Sequence, residues 1–200
     1  MHRAIIFDLG KVLLHFDFQR GYRALAERCP HAACDIPARI GADLVEQFET
    51  GRIGSREFFA QFSRQLELSA GYDEFCEIWN GIFTETLIPE AMLEGLASRY
   101  RLLLLSNTNA IHFEMIRRTY PMLRHFHHLV LSYEVGAAKP RPEIFEEAVR
   151  RAGCRPEECF YTDDVPKFVE AARALGIDAV QFHSCPQLQQ ELTARGINWA

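Results

Sequence analysis

Five short runs of uninterrupted apolar residues constrain this chain more than any other feature of its sequence. Arg3 to Phe7 reads Arg-Ala-Ile-Ile-Phe and Arg101 to Leu105 reads Arg-Leu-Leu-Leu-Leu. The others lie around Leu129 to Leu131, at Cys159-Phe160-Tyr161 and at Ala179 to Phe182. A strand with one wet face alternates apolar and polar residues, whereas a continuous run fits burial on both faces. Helical patterns separate the later four runs. Pro142 opens one, with Phe145, Ala148 and Val149 as its apolar stripe and Gly153 at its end. A second runs from about Pro166 through Val169, Ala172 and Leu175 to Gly176, and a third from Pro186 to near Gly196. Alternation of this kind predicts a parallel sheet with helices on both faces.

Residues 18 to 88 break the rhythm. They read as helical almost throughout, with no convincing strand. Ala24 and Leu25, then Leu44, Val45 and Phe48, belong to two amphipathic stretches. Gly51 and Gly54 mark a turn, and Ser55 is read as the N-cap of a helix carrying Phe58, Phe59 and Phe62. Phe75, Ile78, Trp79 and Phe83 form a further stripe. Aromatics at helical spacing are read as the packing of a small bundle rather than as a ligand box. The predicted architecture is a discontinuous α/β core with a helical insert after the first strand.

Composition narrows the function classes. Hydrophobic residues make up 48% of the 200, which excludes bulk disorder. A net charge of −5, without a basic stripe, would repel a nucleic acid backbone, so no nucleic acid partner is expected. No stretch reaches the ~18 apolar residues of a membrane span. Met1-His2-Arg3 leads straight into the first apolar run, so a cytoplasmic protein is expected. Oligomeric state has no signature here. Six cysteines without a Cys-x-x-Cys pair are read as buried, reduced thiols. His125, His127 and His128 are read as a polar loop before a strand, since no ligand partner lies at metal spacing nearby.

In open α/β sheets ligands bind beyond the carboxyl ends of the strands, so the polar residue after each run carries the information. The first run ends in Asp8 and the second in Ser106-Asn107-Thr108-Asn109. After the third come Gly136 and Lys139-Pro140, and the fourth ends in Thr162-Asp163-Asp164. One rim thus receives a carboxylate, a hydroxyl, an ammonium and a carboxyl pair. A carboxylate can attack phosphorus to give an acyl phosphate, but carboxylate and phosphate repel. A hard divalent cation held by oxygen ligands reduces that repulsion, and magnesium suits one or two carboxylates plus a phosphate. Lys139 can neutralise phosphate charge in the transition state, and Ser106 can donate to a phosphate oxygen. Taken singly, each has a plainer role: Asp8 in a turn, Ser106 and Asn107 or the Asp163-Asp164 pair as helix caps, Lys139 as a surface charge.

Together they resemble the haloacid dehalogenase (HAD) superfamily. Phe7-Asp8-Leu9-Gly10-Lys11-Val12 resembles its first motif and Leu105-Ser106-Asn107-Thr108-Asn109 its second. Lys139-Pro140-Arg141-Pro142-Glu143-Ile144-Phe145 resembles the third. Tyr161-Thr162-Asp163-Asp164, with Glu170-Ala171-Ala172 and Leu175-Gly176, resembles the fourth. Gly51-Arg52-Ile53-Gly54, Phe58-Phe59 and Trp79 resemble the family's helical cap. The resemblance implies a three-layer Rossmann-like core domain from residues 1–17 and 89–200, and a C1-type cap domain from residues 18–88. It implies a cytoplasmic, Mg2+-dependent phosphatase of subfamily IA acting on a small phosphorylated substrate. Asp8 would be the nucleophile and a metal ligand, with the Gly10 carbonyl and Asp164 completing the protein's share of the metal shell. Ser106, Asn107 and Lys139 would hold the phosphate, and Asp163 would orient the metal site or its waters.

Two positions depart from the pattern. Most phosphatases of the family carry a second Asp two residues after the nucleophile, which protonates the leaving group and later activates water; here it is Gly10. Some bacterial sugar-phosphate phosphatases of the family share the Asp-Leu-Gly form, and an acidic leaving group such as an anomeric oxygen needs less protonation. Asp17 could substitute as the acid, although a hinge role near the cap fits it better. Related sequences often place Asn or Asp four residues beyond the metal-binding Asp to hold a metal-bound water; here it is Phe168. Two other functions share parts of the pattern. An L-2-haloacid dehalogenase has the same nucleophile but no metal, which the Asp163-Asp164 pair argues against. A non-catalytic phospho-ligand binding module would explain Gly10 and Phe168.

Overall fold

The computed structural model describes residues 1–199. Among them the strands are β1 (Ala4–Phe7), β2 (Leu14–Phe16), β3 (Phe83–Thr86), β4 (Arg101–Ser106), β5 (His128–Leu131), β6 (Cys159–Asp163) and β7 (Asp178–Gln181). The five apolar runs are β1, β4, β5, β6 and β7, and they pair in parallel in the order β5-β4-β1-β6-β7. β1 lies at the centre, where all four of its side chains are fully buried. Strand side chains alternate in direction, so each run serves two cores at once. Ile5, Phe7, Leu102, Leu104 and Phe160 face one cluster. Ala4, Ile6, Leu103, Leu105 and Tyr161 face the other.

Helices cover both faces. In chain order they are α1 (Phe18–Ala26), α2 (Ile36–Ile40), α3 (Ala42–Glu49), α4 (Ser55–Leu66), α5 (Tyr72–Asn80), α6 (Glu90–Ala97), α7 (Ala110–Thr119), α8 (Ser132–Val135), α9 (Pro142–Ala152), α10 (Pro166–Ala174) and α11 (Cys185–Ala194). Leu93 and Leu96 of α6, Phe113 and Ile116 of α7 and Leu188 and Leu192 of α11 fill the first cluster. Ile144, Phe145 and Ala148 of α9, with Val169 and Ala172 of α10, fill the second. The fold is a three-layer α/β sheet with a helical insert. Truncating a fully buried ring such as Phe145 to Ala would cost about 3–5 kcal/mol.

The insert, α1 to α5, has its own apolar centre. Phe48 stacks on Phe58 at 4.2 Å, and Phe62, Phe75 and Trp79 pack around Phe58 at centroid distances of 5.6 to 6.2 Å. These rings are packing, as their spacing suggests, although Trp79 also lines a cavity described below. The turn between α3 and α4 meets the core closely. Gly51 has φ +68°, and a Cβ there would lie 2.1 Å from the carbonyl oxygen of Tyr133, so only glycine fits.

Several local expectations need correction. The region expected to hold no strand contains β3, which pairs antiparallel with β2 to form a ribbon at the junction of core and insert. Phe83-Thr84-Glu85-Thr86 is too short for its period to stand out between helical patterns, and its partner lies far away in sequence. Ser55 is the first residue of α4, with Gly54 at the N-cap and no side-chain cap bond. The cysteines are all free, but only Cys159 is buried and Cys34 is exposed; the Sγ atoms of Cys154 and Cys159 lie 3.5 Å apart. The histidine cluster is structural: His125 bonds Glu90 at 3.0 Å, His127 accepts from the Leu102 amide at 3.0 Å, and His128 opens β5. Among the described residues no helix is long and apolar enough to cross a membrane.

Candidate active site

The parallel strands deliver their carboxyl ends to one rim. Asp8 follows β1, with its amide hydrogen-bonded to the Thr162 carbonyl on the neighbouring strand at 3.0 Å. Ser106 ends β4, Asp163 ends β6, and Asp164 follows. Lys139 arrives from the loop before α9 and reaches the centre of the group, where it is only 4% exposed. Its Nζ donates to Asp8 Oδ1 at 2.7 Å, to Asp163 Oδ2 at 2.6 Å and to the Leu105 carbonyl at 3.2 Å. All three ammonium protons are therefore placed. The rings of Phe168 and Tyr161 stand 5.1 and 5.9 Å from the same nitrogen. Phe168, which cannot hold a metal-bound water, instead presents an aromatic face to the lysine.

Asp163 is fully buried and fully used. Its Oδ2 also accepts from the Tyr161 hydroxyl, and its Oδ1 accepts from the Val165 amide at 2.9 Å. Asp164 is half-buried and Asp8 nearly enclosed, and one oxygen from each of the three carboxylates lies within 4.8 Å of the others. Burial raises the Asp8 carboxyl, and the nearby Asp163 adds to this, while Lys139 opposes both. Burial pulls the Lys139 ammonium down, but Asp8 and Asp163 outweigh it and hold the group above the ordinary lysine range. Burial, then Asp163, raises Asp164, and Lys11 and Lys139 oppose. Burial keeps the Tyr161 phenol protonated, well above its usual range, as its donor role requires. Two enclosed acids are thus held beside a positive charge in a site where extra positive charge would be welcome.

The loops are latched to one another. Asn107 Oδ1 accepts from the Lys139 amide at 2.8 Å, and its Nδ2 donates to the Lys139 carbonyl at 3.0 Å. Its side chain, read from the sequence as a phosphate ligand, also positions the Lys139 backbone, and its second Nδ2 hydrogen has no partner among the described residues. Ser132 Oγ both accepts from the Thr108 amide and donates to the Thr108 carbonyl, each at 3.0 Å. Ser106 is 2% exposed and sits on the same rim, its Oγ making only a long 3.4 Å bond to the Asn107 carbonyl. Sequence reading missed Tyr161 and Ser132. Tyr161 lies two residues before Asp163 and so shares its strand face, and Ser132 is the first polar residue after β5, so both signals were present.

The two departures also acquire physical causes. A Cβ at Gly10 would lie 2.6 Å from Cε1 of Phe16, so the Phe16 ring fills the space a side chain at position 10 would need. Asp17 accepts from the Gln19 amide at 2.9 Å and caps α1, which ties it to the start of the insert. Lys11 is exposed, with φ +56°, and its ammonium stands 5.3 Å from the Phe16 ring.

A cavity of about 630 Å³ opens between this rim and the insert. Ser106 to Asn109 line one end; Phe16, Tyr22, Trp79 and Phe83 form walls; Glu49 and His112 also line it. His112 stacks on Trp79 at 5.4 Å, and its Nδ1 lies 3.1 Å from Asn80 Oδ1. Burial lowers His112 to about 3 and raises Glu49 to about 7.

A parallel α/β sheet with carboxylates, a buried lysine and a serine at one rim, roofed by an inserted helical layer, defines a class of hydrolases. The chain belongs to the haloacid dehalogenase-like hydrolases, whose family profile matches residues 2–176. It is similar to the D-ribitol-5-phosphate phosphatase of Bacteroides thetaiotaomicron, 26% identical over 204 residues, which cover 96% of this chain and 98% of that one. Among solved structures it resembles a HAD family enzyme of the same organism in complex with magnesium and inorganic phosphate. There the TM-score is 0.82 and the identity 27%, over 92% of this chain and 96% of that one. A HAD-like family hydrolase of Porphyromonas gingivalis matches with a TM-score of 0.84 and 28% identity, over 96% of this chain and 98% of that one.

Proposed function

We propose that the chain is a Mg2+-dependent phosphomonoester hydrolase that acts on a small sugar or polyol phosphate through an aspartyl-phosphate on Asp8. The observation that carries this is the convergence of Asp8 and Asp164 within reach of one ion, opposite a lysine. The donor set fits magnesium: hard carboxylate oxygens, with one oxygen of Asp8 and one of Asp164 within 4.8 Å of each other. The oxygens of Asp163 are already occupied by Lys139, Tyr161 and the Val165 amide, so Asp8, Asp164 and the Gly10 carbonyl are the proposed ligands. Bound magnesium supplies charge neutralisation between the carboxylate and the phosphate.

Asp8 attacks phosphorus, forming its bond as the ester oxygen leaves with the bonding pair. Lys139 and Ser106 offset the charge on the phosphoryl oxygens, and Asn107 keeps Lys139 in place. Water then cleaves the acyl phosphate, releasing phosphate and regenerating Asp8. No side chain at position 10 can protonate the leaving oxygen, so that oxygen takes its proton from water, and among the sugar esters those with an acidic anomeric oxygen react faster. Residues 18–88 act as the cap that closes over the substrate and excludes water. The named activity of the Bacteroides phosphatase and the magnesium–phosphate complex of the related enzyme support the reading.

A phosphate-release screen over sugar, polyol and nucleotide monophosphates, with and without magnesium, tests it. Asp8→Asn should abolish release while leaving the circular dichroism spectrum unchanged, and chelation should abolish it reversibly. Activity that survives Asp8→Asn rejects the mechanism. The Phe16 ring in the place of a general acid favours one second reading, a phospho-ligand binding module. Phosphate binding without release from any ester in the screen would select it.

A further inference from the structure

The cavity beyond Ser106 has an uneven chemical lining. Aromatic and aliphatic side chains form most of it, and neither lysine nor arginine contributes. Three cations stand around it. Arg52 pairs with Glu46 at 2.6 Å, while Arg20, bonded to the Gly81 carbonyl at 3.2 Å, and Lys11, over the Phe16 ring, are not among the lining residues. Pairing with Arg52 neutralises Glu46. Glu49, at the end of α3, has no such partner among the described residues, and burial alone acts on its carboxyl. His112 holds its ring flat against Trp79 and bonds Asn80 through Nδ1. Asn80 thus engages Nδ1, and Nε2 is the ring nitrogen with no hydrogen-bond partner among the described residues. The cavity beyond Ser106 therefore presents a carboxylate and an imidazole between ring faces, with no lysine or arginine in its lining.

We infer that Glu49 and His112 are specificity-determining residues that select the leaving group by charge, so that the site takes phosphate monoesters of neutral, hydroxyl-bearing molecules and turns away those carrying a second anion. This deepens the phosphomonoesterase reading and rests on it. Hydroxyl groups bond both side chains, and the carbon faces of a polyol lie against Phe16, Tyr22 and Trp79. A second carboxylate or phosphate in the same space meets Glu49 with nothing to balance it. At the effective dielectric of a partly buried site, one such repulsion lowers affinity on the order of 10- to 100-fold.

The test uses matched pairs that differ by one anion: glucose 1-phosphate against glucuronic acid 1-phosphate, and glyceraldehyde 3-phosphate against 3-phosphoglycerate. With the full-length protein and magnesium at pH 8, above the value near 7 to which burial raises Glu49, kcat/KM should favour the neutral member of each pair at least tenfold. Glu49→Gln, which keeps the shape and removes the charge, should narrow the gap to about threefold, mainly through KM of the anionic member. His112→Phe should raise KM for the neutral member about tenfold with little change in kcat. Equal turnover of both members by the unaltered protein overturns the inference without touching the phosphatase reading, and needs no variant to fold. A gap that Glu49→Gln leaves unchanged overturns the role of Glu49. No release from any of the four esters or from the wider screen of sugar, polyol and nucleotide monophosphates fails the phosphatase reading itself, and the inference with it.

Discussion

Replacing Gly10 tests whether an aromatic ring really occupies the place of the missing general acid. A Cβ at position 10 would sit 2.6 Å from Phe16 Cε1 and 3.3 Å from Cδ1. Carbon atoms rest at about 3.5–4.0 Å, so the ring edge would have to retreat by roughly 1 Å. It is braced by Phe18 at 4.9 Å, by Phe83 at 6.2 Å and by the pairing of β2 with β3. Overpacking of this kind costs about 1–3 kcal/mol. Gly10→Ala should therefore lose that much in a urea melt followed by circular dichroism at 25 °C, and Gly10→Asp should lose at least as much and gain no rate. Phe16→Ala, at a partly exposed position, should cost about 1–3 kcal/mol alone. The double variant Gly10→Ala/Phe16→Ala should be more stable than the sum of the two single effects by about 1–3 kcal/mol, because the clash exists only when both groups are present. With Phe16 truncated, Gly10→Asp should then raise kcat on alkyl phosphates by about 10-fold or more, toward the 10²–10⁴ of a well-placed acid. Additivity of the Ala variants within about 0.5 kcal/mol would refute the steric argument, since independent sites add to that precision.

Three further outcomes follow from the same geometry. Lys139→Met leaves Asp8 and Asp163 facing each other without their cation; it should cost about 3–5 kcal/mol in a urea melt and remove phosphate release. Asn107→Ala removes both hydrogen bonds to the Lys139 backbone; it should cost about 1–3 kcal/mol and lower kcat more than it raises KM, as a positioning residue does. Glu49 is raised from 4.5 to about 7 in the folded chain, so below pH 4.5 its carboxyl is protonated in both states and has no differential effect. As pH rises through 7 the folded state must ionise a group it disfavours, at a cost of at most about 3 kcal/mol. The stability of Glu49→Gln should match that of the natural chain near pH 4 and exceed it near pH 8; parity at pH 8 would show that the cavity does not desolvate the carboxyl.

The parallel sheet was legible because burial on both faces leaves a local mark, a continuous apolar run, and each of the five runs became a strand within one or two residues of its expected limits. The residues gathered at the rim were legible for a related reason. A parallel sheet sends all its carboxyl ends to one rim, so the polar residue after each strand had to meet the others there, as Asp8, Ser106, Lys139 and Asp164 do. What escaped the sequence were side chains whose roles depend on a distant partner. The amide of Asn107 was legible as a phosphate ligand but not as a latch, because its bonds to the Lys139 backbone depend on the approach of a loop 32 residues away. Asp163 and Asp164 are adjacent and chemically identical, yet β6 turns one inward to Lys139 and Tyr161 and leaves the other half-buried at the rim. The ring of Phe16 enters the space beside Gly10 because β3, from the far end of the insert, pairs with β2 and holds it there. Periodicity and strand ends are properties of neighbouring residues, so the sequence alone determined the sheet and the roster of its rim. The commitment of each polar atom is settled by contacts closed across the chain, so the tertiary structure alone decided which of those residues are free to act.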